Sequence, residues 1–146
     1  MSGYRALRFV ALCALFLFST PALAGGPIGI VLLHGKTGMP GQMANLASSL
    51  LAAGYAVDTP EMCWSKKRIV DKLLPDCLVE VDAAVARLKA KGAARVVVAG
   101  TSQGAMAALD YGATRDGLAG IIAMAPAADP VNPAKYPGFA ASEITF

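Results

Sequence analysis

Residues 96–105 read VVVAGTSQGA, an aliphatic run that ends in a serine held between two glycines. Arg95 to Ala99 has the continuous β-branched character of a strand buried on both faces, and Gln103 to Tyr111 returns to helical spacing. Between them Gly100-Thr101-Ser102-Gln103-Gly104 fits G-x-S-x-G, where the chain must reverse within a few residues. Such a reversal forces the serine to positive φ and brings strand and helix too close for side chains at Gly100 and Gly104. The Ser102 hydroxyl is then thrust out at the carboxyl end of the sheet. The Gln103 N–H, at the helix start, points toward a developing oxyanion. The five residues alone form a common pattern. Their place between a buried strand and a helix makes it specific, against the bland alternative of an ordinary turn with an incidental serine.

Working outward, Ile28 to Leu33 (IGIVLL) is another doubly buried strand, stopping at His34-Gly35. Gly38, Pro40 and Gly41 mark a loop. Gln42 to Ala53 then places Met43, Leu46, Ala47, Leu50 and Leu51 on one side of a helix closed by Gly54. Tyr55 to Val57 begins a short strand that leads into an irregular stretch from Thr59. Asp76 is the expected N-cap of a helix running to Lys91, with Leu78, Val81, Val85 and Leu88 as its apolar stripe. Leu118 to Ala125 (LAGIIAMA) is a further buried strand. Aliphatic strands alternating with amphipathic helices imply an α/β architecture, a mostly parallel sheet flanked by helices.

The chain has 146 residues, enough for one domain. Residues 1–24 combine Arg5 and Arg8, the apolar run Phe9 to Phe18 and Ala22-Leu23-Ala24, which describes a secretory signal peptide cleaved after Ala24. The apolar core is shorter than the roughly 20 residues of a membrane span, so no stable span is expected after cleavage. Cys13 follows Leu12, which is not the small residue a lipoprotein signal needs. The expected localisation is secreted or periplasmic.

Losing Arg5 and Arg8 brings the 13 basic residues to one more than the 10 acidic ones, so charge says little about partners. Lys66-Lys67-Arg68 reads as a solvated surface loop, and nothing resembles a nucleic-acid footprint. Cys63 and Cys77 either pair, as an oxidising setting favours, or are two unrelated small apolar residues. With one histidine and no C-x-x-C, a metal site has no support, and no cofactor is expected.

GTSQG at 100–104 and HG at 34–35, in this order and spacing, resemble the α/β-hydrolase family over nearly all of residues 25–146. The resemblance implies a partial α/β-hydrolase fold, the N-terminal part of such a domain, with strands ordered 55, 28, 95, 118 by starting residue. It implies an esterase-like serine hydrolase acting on a small acyl substrate, with Ser102 as nucleophile. The N–H of Gln103 and one near Lys36 or Thr37 would form the oxyanion hole, in a loop shaped by His34 and Gly35. By the same resemblance the acid lies after a later strand or after the strand at 118–125, where Asp129 is the one candidate. A turn-forming Asp before Pro130 is the plainer reading of that residue.

His34 as the base is the weaker reading, because no carboxylate stands near it in sequence to orient its ring. The phosphate-loop match across Ile30–Thr37 fails because Ile30 stands where the first glycine belongs and the loop residues are the strand itself. Members of the family continue for about three more strands, carrying the acid and the histidine, so the chain reads as truncated and its last strand as an exposed edge. Two functions follow: a serine hydrolase impaired for want of its base, or a non-catalytic remnant that binds without chemistry. The segment from Thr59 to Pro75 lies near the mouth of the expected site. Its Trp64 either lines a pocket or fills the core.

Overall fold

The computed structural model describes residues 26–126. Four strands form one parallel sheet: β1 (Ile28–Leu33), β2 (Ala56–Asp58), β3 (Arg95–Ser102) and β4 (Gly120–Pro126), in the order β2-β1-β3-β4. This is the expected order. Three α-helices connect them, α1 (Ala44–Ala52), α2 (Leu74–Ala90) and α3 (Gln103–Thr114). The continuous aliphatic text of β1 follows from its position. Val31 and Leu33 join the core under α2 and α3, while Ile30 and Leu32 face Met43, Ala47 and Leu50 on the α1 side. Buried on both faces, a central parallel strand has no polar positions to show.

Three local expectations are corrected. The stretch from Gln42 does not begin as α-helix: Pro40–Met43 is a 3-10 turn, and α1 starts at Ala44. Of the five residues expected on its inner face, Met43 is buried and Ala47 and Leu50 are half-buried, at spacing i, i+4, i+7; Leu46 and Leu51 flank that line and stay exposed. Asp76 is not the N-cap of α2. Leu73 is, with extended backbone at φ −68° and ψ 152°, and Pro75 occupies the first turn. A proline there lacks only an N–H that the helix leaves unpaired anyway, so the helix starts upstream and Asp76 faces its positive end instead. The stripe Leu78, Val81, Val85, Leu88 is buried as expected, joined by Cys77 and Ala84. Finally, β4 runs from Gly120 to Pro126 rather than from Leu118. It is one of two edge strands among the described residues, β2 being the other, and Ile122 is half exposed.

Register positions the site. Leu33 at the end of β1 pairs with Gly100 of β3, so the loop that starts at His34 runs alongside Thr101 and Ser102. The β3–β4 ladder is regular to Thr101 and slips at Ser102, which pairs with Pro126.

Candidate active site

Ser102 ends β3 and caps α3 with φ 54° and ψ −118°. A side chain at positive φ outside the turn-friendly residues marks real backbone strain. The glycines on either side explain how it persists. A Cβ on Gly100 would press into the carbonyl of Gly104, and one on Gly104 would press into Leu33 and lie 2.7 Å from the His34 carbonyl oxygen. These neighbours are backbone, which cannot rotate away. The strand–helix reversal and the end of β1 are thus packed backbone to backbone. The first N–H groups of α3, that of Gln103 included, sit where a helix leaves donors unpaired.

The loop after β1 closes on the same point. A Cβ on Gly35 would lie 3.5 Å from the Ser102 Cβ. The loop is a tight turn in which the Gly38 N–H donates to the Gly35 carbonyl at 3.0 Å, with Thr37 at φ 56°. The Gly35 N–H donates to Gln42 Oε1 at 3.0 Å, and the Thr37 N–H to the Trp64 carbonyl at 2.9 Å. Thr37 therefore drops out as an oxyanion donor, since its N–H is committed to Trp64. Lys36 stands between these two anchors and shares with Gln103 the lining of one cavity.

His34 is fully buried. Its Nδ1 lies 2.9 Å from the Gly35 carbonyl oxygen and its Nε2 accepts from the Met62 N–H at 3.2 Å. The acceptor role of Nε2 places the ring proton on Nδ1, donating to Gly35. Both nitrogens are occupied by backbone. Neither is bonded to Ser102, and among the described residues the ring has no carboxylate partner of the kind a general base uses.

Trp64 answers both earlier alternatives at once. It is buried in the main core, and it lines the cavity beside Lys36 and Gln103. Its indole N–H donates to the His34 carbonyl at 2.9 Å while its own carbonyl takes the Thr37 N–H. One residue thus grips the loop after β1 at two points. Cys63 and Cys77 form a disulfide that ties this segment to α2. Glu80 on α2 adds a second tie, accepting from the Cys63 N–H at 2.8 Å, Arg68 Nη1 at 2.6 Å and Lys72 Nζ at 3.2 Å. Arg68 also forks onto Asp71 at 2.7 and 2.8 Å, holding that carboxyl below the usual range and its own guanidinium above it. Gln42, Met62 and Glu80 carry no sequence signal for these tasks: Gln42 and Glu80 accept from the backbone N–H groups of Gly35 and Cys63, and Met62 contributes only its own backbone N–H, to His34.

Asp129 and residues 1–24, where a signal peptide is expected, lie outside the described residues. Among the described residues no group of three or more His, Cys, Asp or Glu could hold a metal, and no helix is long and apolar enough to cross a membrane.

A parallel sheet in this order, crossed at its carboxyl end by a glycine-flanked serine turn, defines a hydrolase-type α/β protein. The chain belongs to the alpha/beta hydrolase family, whose sequence profile matches residues 30–145. It is similar to a solved structure described under "LipS and LipT, two metagenome-derived lipolytic enzymes", with 29% sequence identity and a TM-score of 0.55. That likeness covers 66% of this chain and 41% of the other, so the chain spans less than half of that relative's length. No curated protein matches it.

Proposed function

We propose that this chain carries the nucleophile and oxyanion side of an exported serine hydrolase acting on esters or related acyl bonds. The observation that carries the reading is the strained Ser102 at φ 54°, wedged between Gly100 and Gly104 at the start of α3 and beside Gly35. Ser102 Oγ bonds to the acyl carbon, and the carbonyl electrons move onto oxygen, where the N–H groups of Gln103 and Lys36 receive them. Collapse breaks the ester C–O bond, and the Ser102 proton, passed through a base, leaves with the alcohol. Water then reverses the sequence and frees the acid.

His34, held at both nitrogens, is not that base, and the sequence contains no other histidine. The 146-residue chain by itself therefore hydrolyses esters only at the residual level left when a triad member is lost. The signal-peptide pattern at 1–24 and the Cys63–Cys77 disulfide both suit an oxidising compartment outside the cytoplasm. The test is labelling with a fluorophosphonate and intact-mass analysis. A single adduct on Ser102, absent in Ser102→Ala, is expected. Equal labelling of the Ser102→Ala protein would overturn the assignment, and labelling as fast as a complete triad gives would overturn the loss of the base.

A further inference from the structure

The cavity shared by Lys36 and Gln103 has a volume of about 150 Å³ and is walled by Cys63, Trp64, Val70, Lys72, Leu73, Leu74 and Cys77. Its floor is fully buried and apolar, made by Trp64 and the Cys63–Cys77 disulfide, while Val70, Lys72 and Leu73 form an exposed rim. The rim is built rather than incidental. Ile69 and Val70 are adjacent β-branched residues both at positive φ, 52° and 58°, a conformation costing on the order of 1–3 kcal/mol each. They are clamped from both sides by the Arg68–Asp71 fork, and Arg68 is itself anchored on Glu80. The outcome is that Val70 lines the cavity while Ile69 stands in solvent at 81% exposure.

From this we infer that the cavity is an acyl subsite for short apolar acyl groups, an inference that rests on the nucleophile reading of Ser102. In a tetrahedral intermediate the acyl chain and the oxyanion share one carbon, so a cavity opening on Lys36 and Gln103 receives a substituent of that carbon. The group seated on so buried a floor is the one retained through both half-reactions, which is the acyl group; the alcohol departs after the first. Size sets the length. A cavity of roughly 150 Å³ takes a benzene-sized group, so about five or six carbon atoms fill it, well below the roughly 300 Å³ at which drug-sized sites begin. Acyl chains from butyryl to hexanoyl fit, and longer ones must leave the cavity past Val70 and Leu73.

Trp64 is the one tryptophan of the chain, so its fluorescence reports this cavity directly. The full chain carrying Ser102→Ala, which cannot be acylated, is titrated with ethyl esters from acetate to dodecanoate, its fold checked by circular dichroism. Affinity is expected to rise roughly fourfold per methylene up to butanoate–hexanoate and to rise no further at octanoate. Leu74→Phe moves that break to shorter chains and Leu74→Ala to longer ones. Ethyl butyrate is expected to bind more tightly than its isomer butyl acetate, which puts the four-carbon chain on the alcohol. A continued rise through dodecanoate overturns the inference. So does a break that neither Leu74 variant moves, equal affinity for the two isomers, or no saturable change. Normal fluorophosphonate labelling of the native chain without chain-length-dependent binding removes the subsite alone. Chain-length-dependent binding together with equal labelling of native and Ser102→Ala protein removes the nucleophile reading and with it the acyl assignment of the cavity.

Discussion

Replacing His34 separates its two conceivable roles, brace and base. In His34→Ala the Met62 N–H loses its acceptor and the Gly35 carbonyl its donor, both at buried positions. An orphaned buried polar group costs about 1–3 kcal/mol, and the emptied ring volume adds a cavity term of about 2 kcal/mol. With two groups orphaned, the expected loss is about 4–8 kcal/mol, a large share of the 5–15 kcal/mol that a domain usually holds. His34→Gln is the discriminating variant. Its amide oxygen can take the Met62 N–H and its amide nitrogen can donate, so most of the stability returns, with a residual loss of about 1–2 kcal/mol. Because neither ring nitrogen is free for proton transfer, Ser102 in His34→Gln is expected to react with fluorophosphonate within about tenfold of the native rate once folded. The assay is urea unfolding followed by Trp64 fluorescence, paired with labelling kinetics below the unfolding transition. A His34→Gln protein as stable as the native one that labels a hundredfold or more slowly would refute the brace, since a loss of that size is what removing a general base produces.

Gly104→Ala drives a Cβ into the carbonyls of Leu33 and His34, and a loss of about 2–3 kcal/mol or more is expected in urea unfolding, together with slower Ser102 labelling. Breaking the Cys63–Cys77 bond with a double Ser substitution releases a loop of sequence separation 14, worth about 3 kcal/mol. It is also expected to loosen the Trp64 grip on Thr37, read as faster hydrogen exchange of the Thr37 amide. Arg115 holds the Asp82 carboxyl below its usual range, with help from the Tyr111 hydroxyl against the opposing pull of burial. The stabilisation is therefore complete above the ordinary carboxylate pKa and lost as pH falls through the lower folded value. Asp82→Asn is expected to flatten the acid limb of stability against pH below about pH 4. Burial first, and then Asp82, push the Tyr111 hydroxyl up to about 12. Its contribution is present below the ordinary tyrosine pKa and declines as pH rises from about 10 toward 12, and Tyr111→Phe is expected to remove that alkaline decline.

The sequence by itself determined what near neighbours dictate. The aliphatic runs of β1 and β3 encode strands buried on both faces, because side-chain burial alternates along a strand and neither face shows polar residues. The Gly100–Gly104 turn encodes its own strain, because only glycine tolerates the approach of backbone two residues either side of Ser102. The strand order followed once those elements were placed and the family resemblance was seen. Helix starts were less legible: Asp76 has the chemistry of a cap, but Pro75 had already begun the turn.

What the tertiary structure alone decided are partnerships across some thirty residues. His34 meets Met62 and Trp64, 28 and 30 positions away. Those contacts turn the sole histidine from a candidate base into a brace, and a separate bond to the Trp64 carbonyl commits the Thr37 N–H. No periodicity or motif announces them, because a buried hydrogen bond to backbone is indifferent to the identity of the residue that supplies the N–H or carbonyl. Only the fold fixes which backbone group arrives at that place.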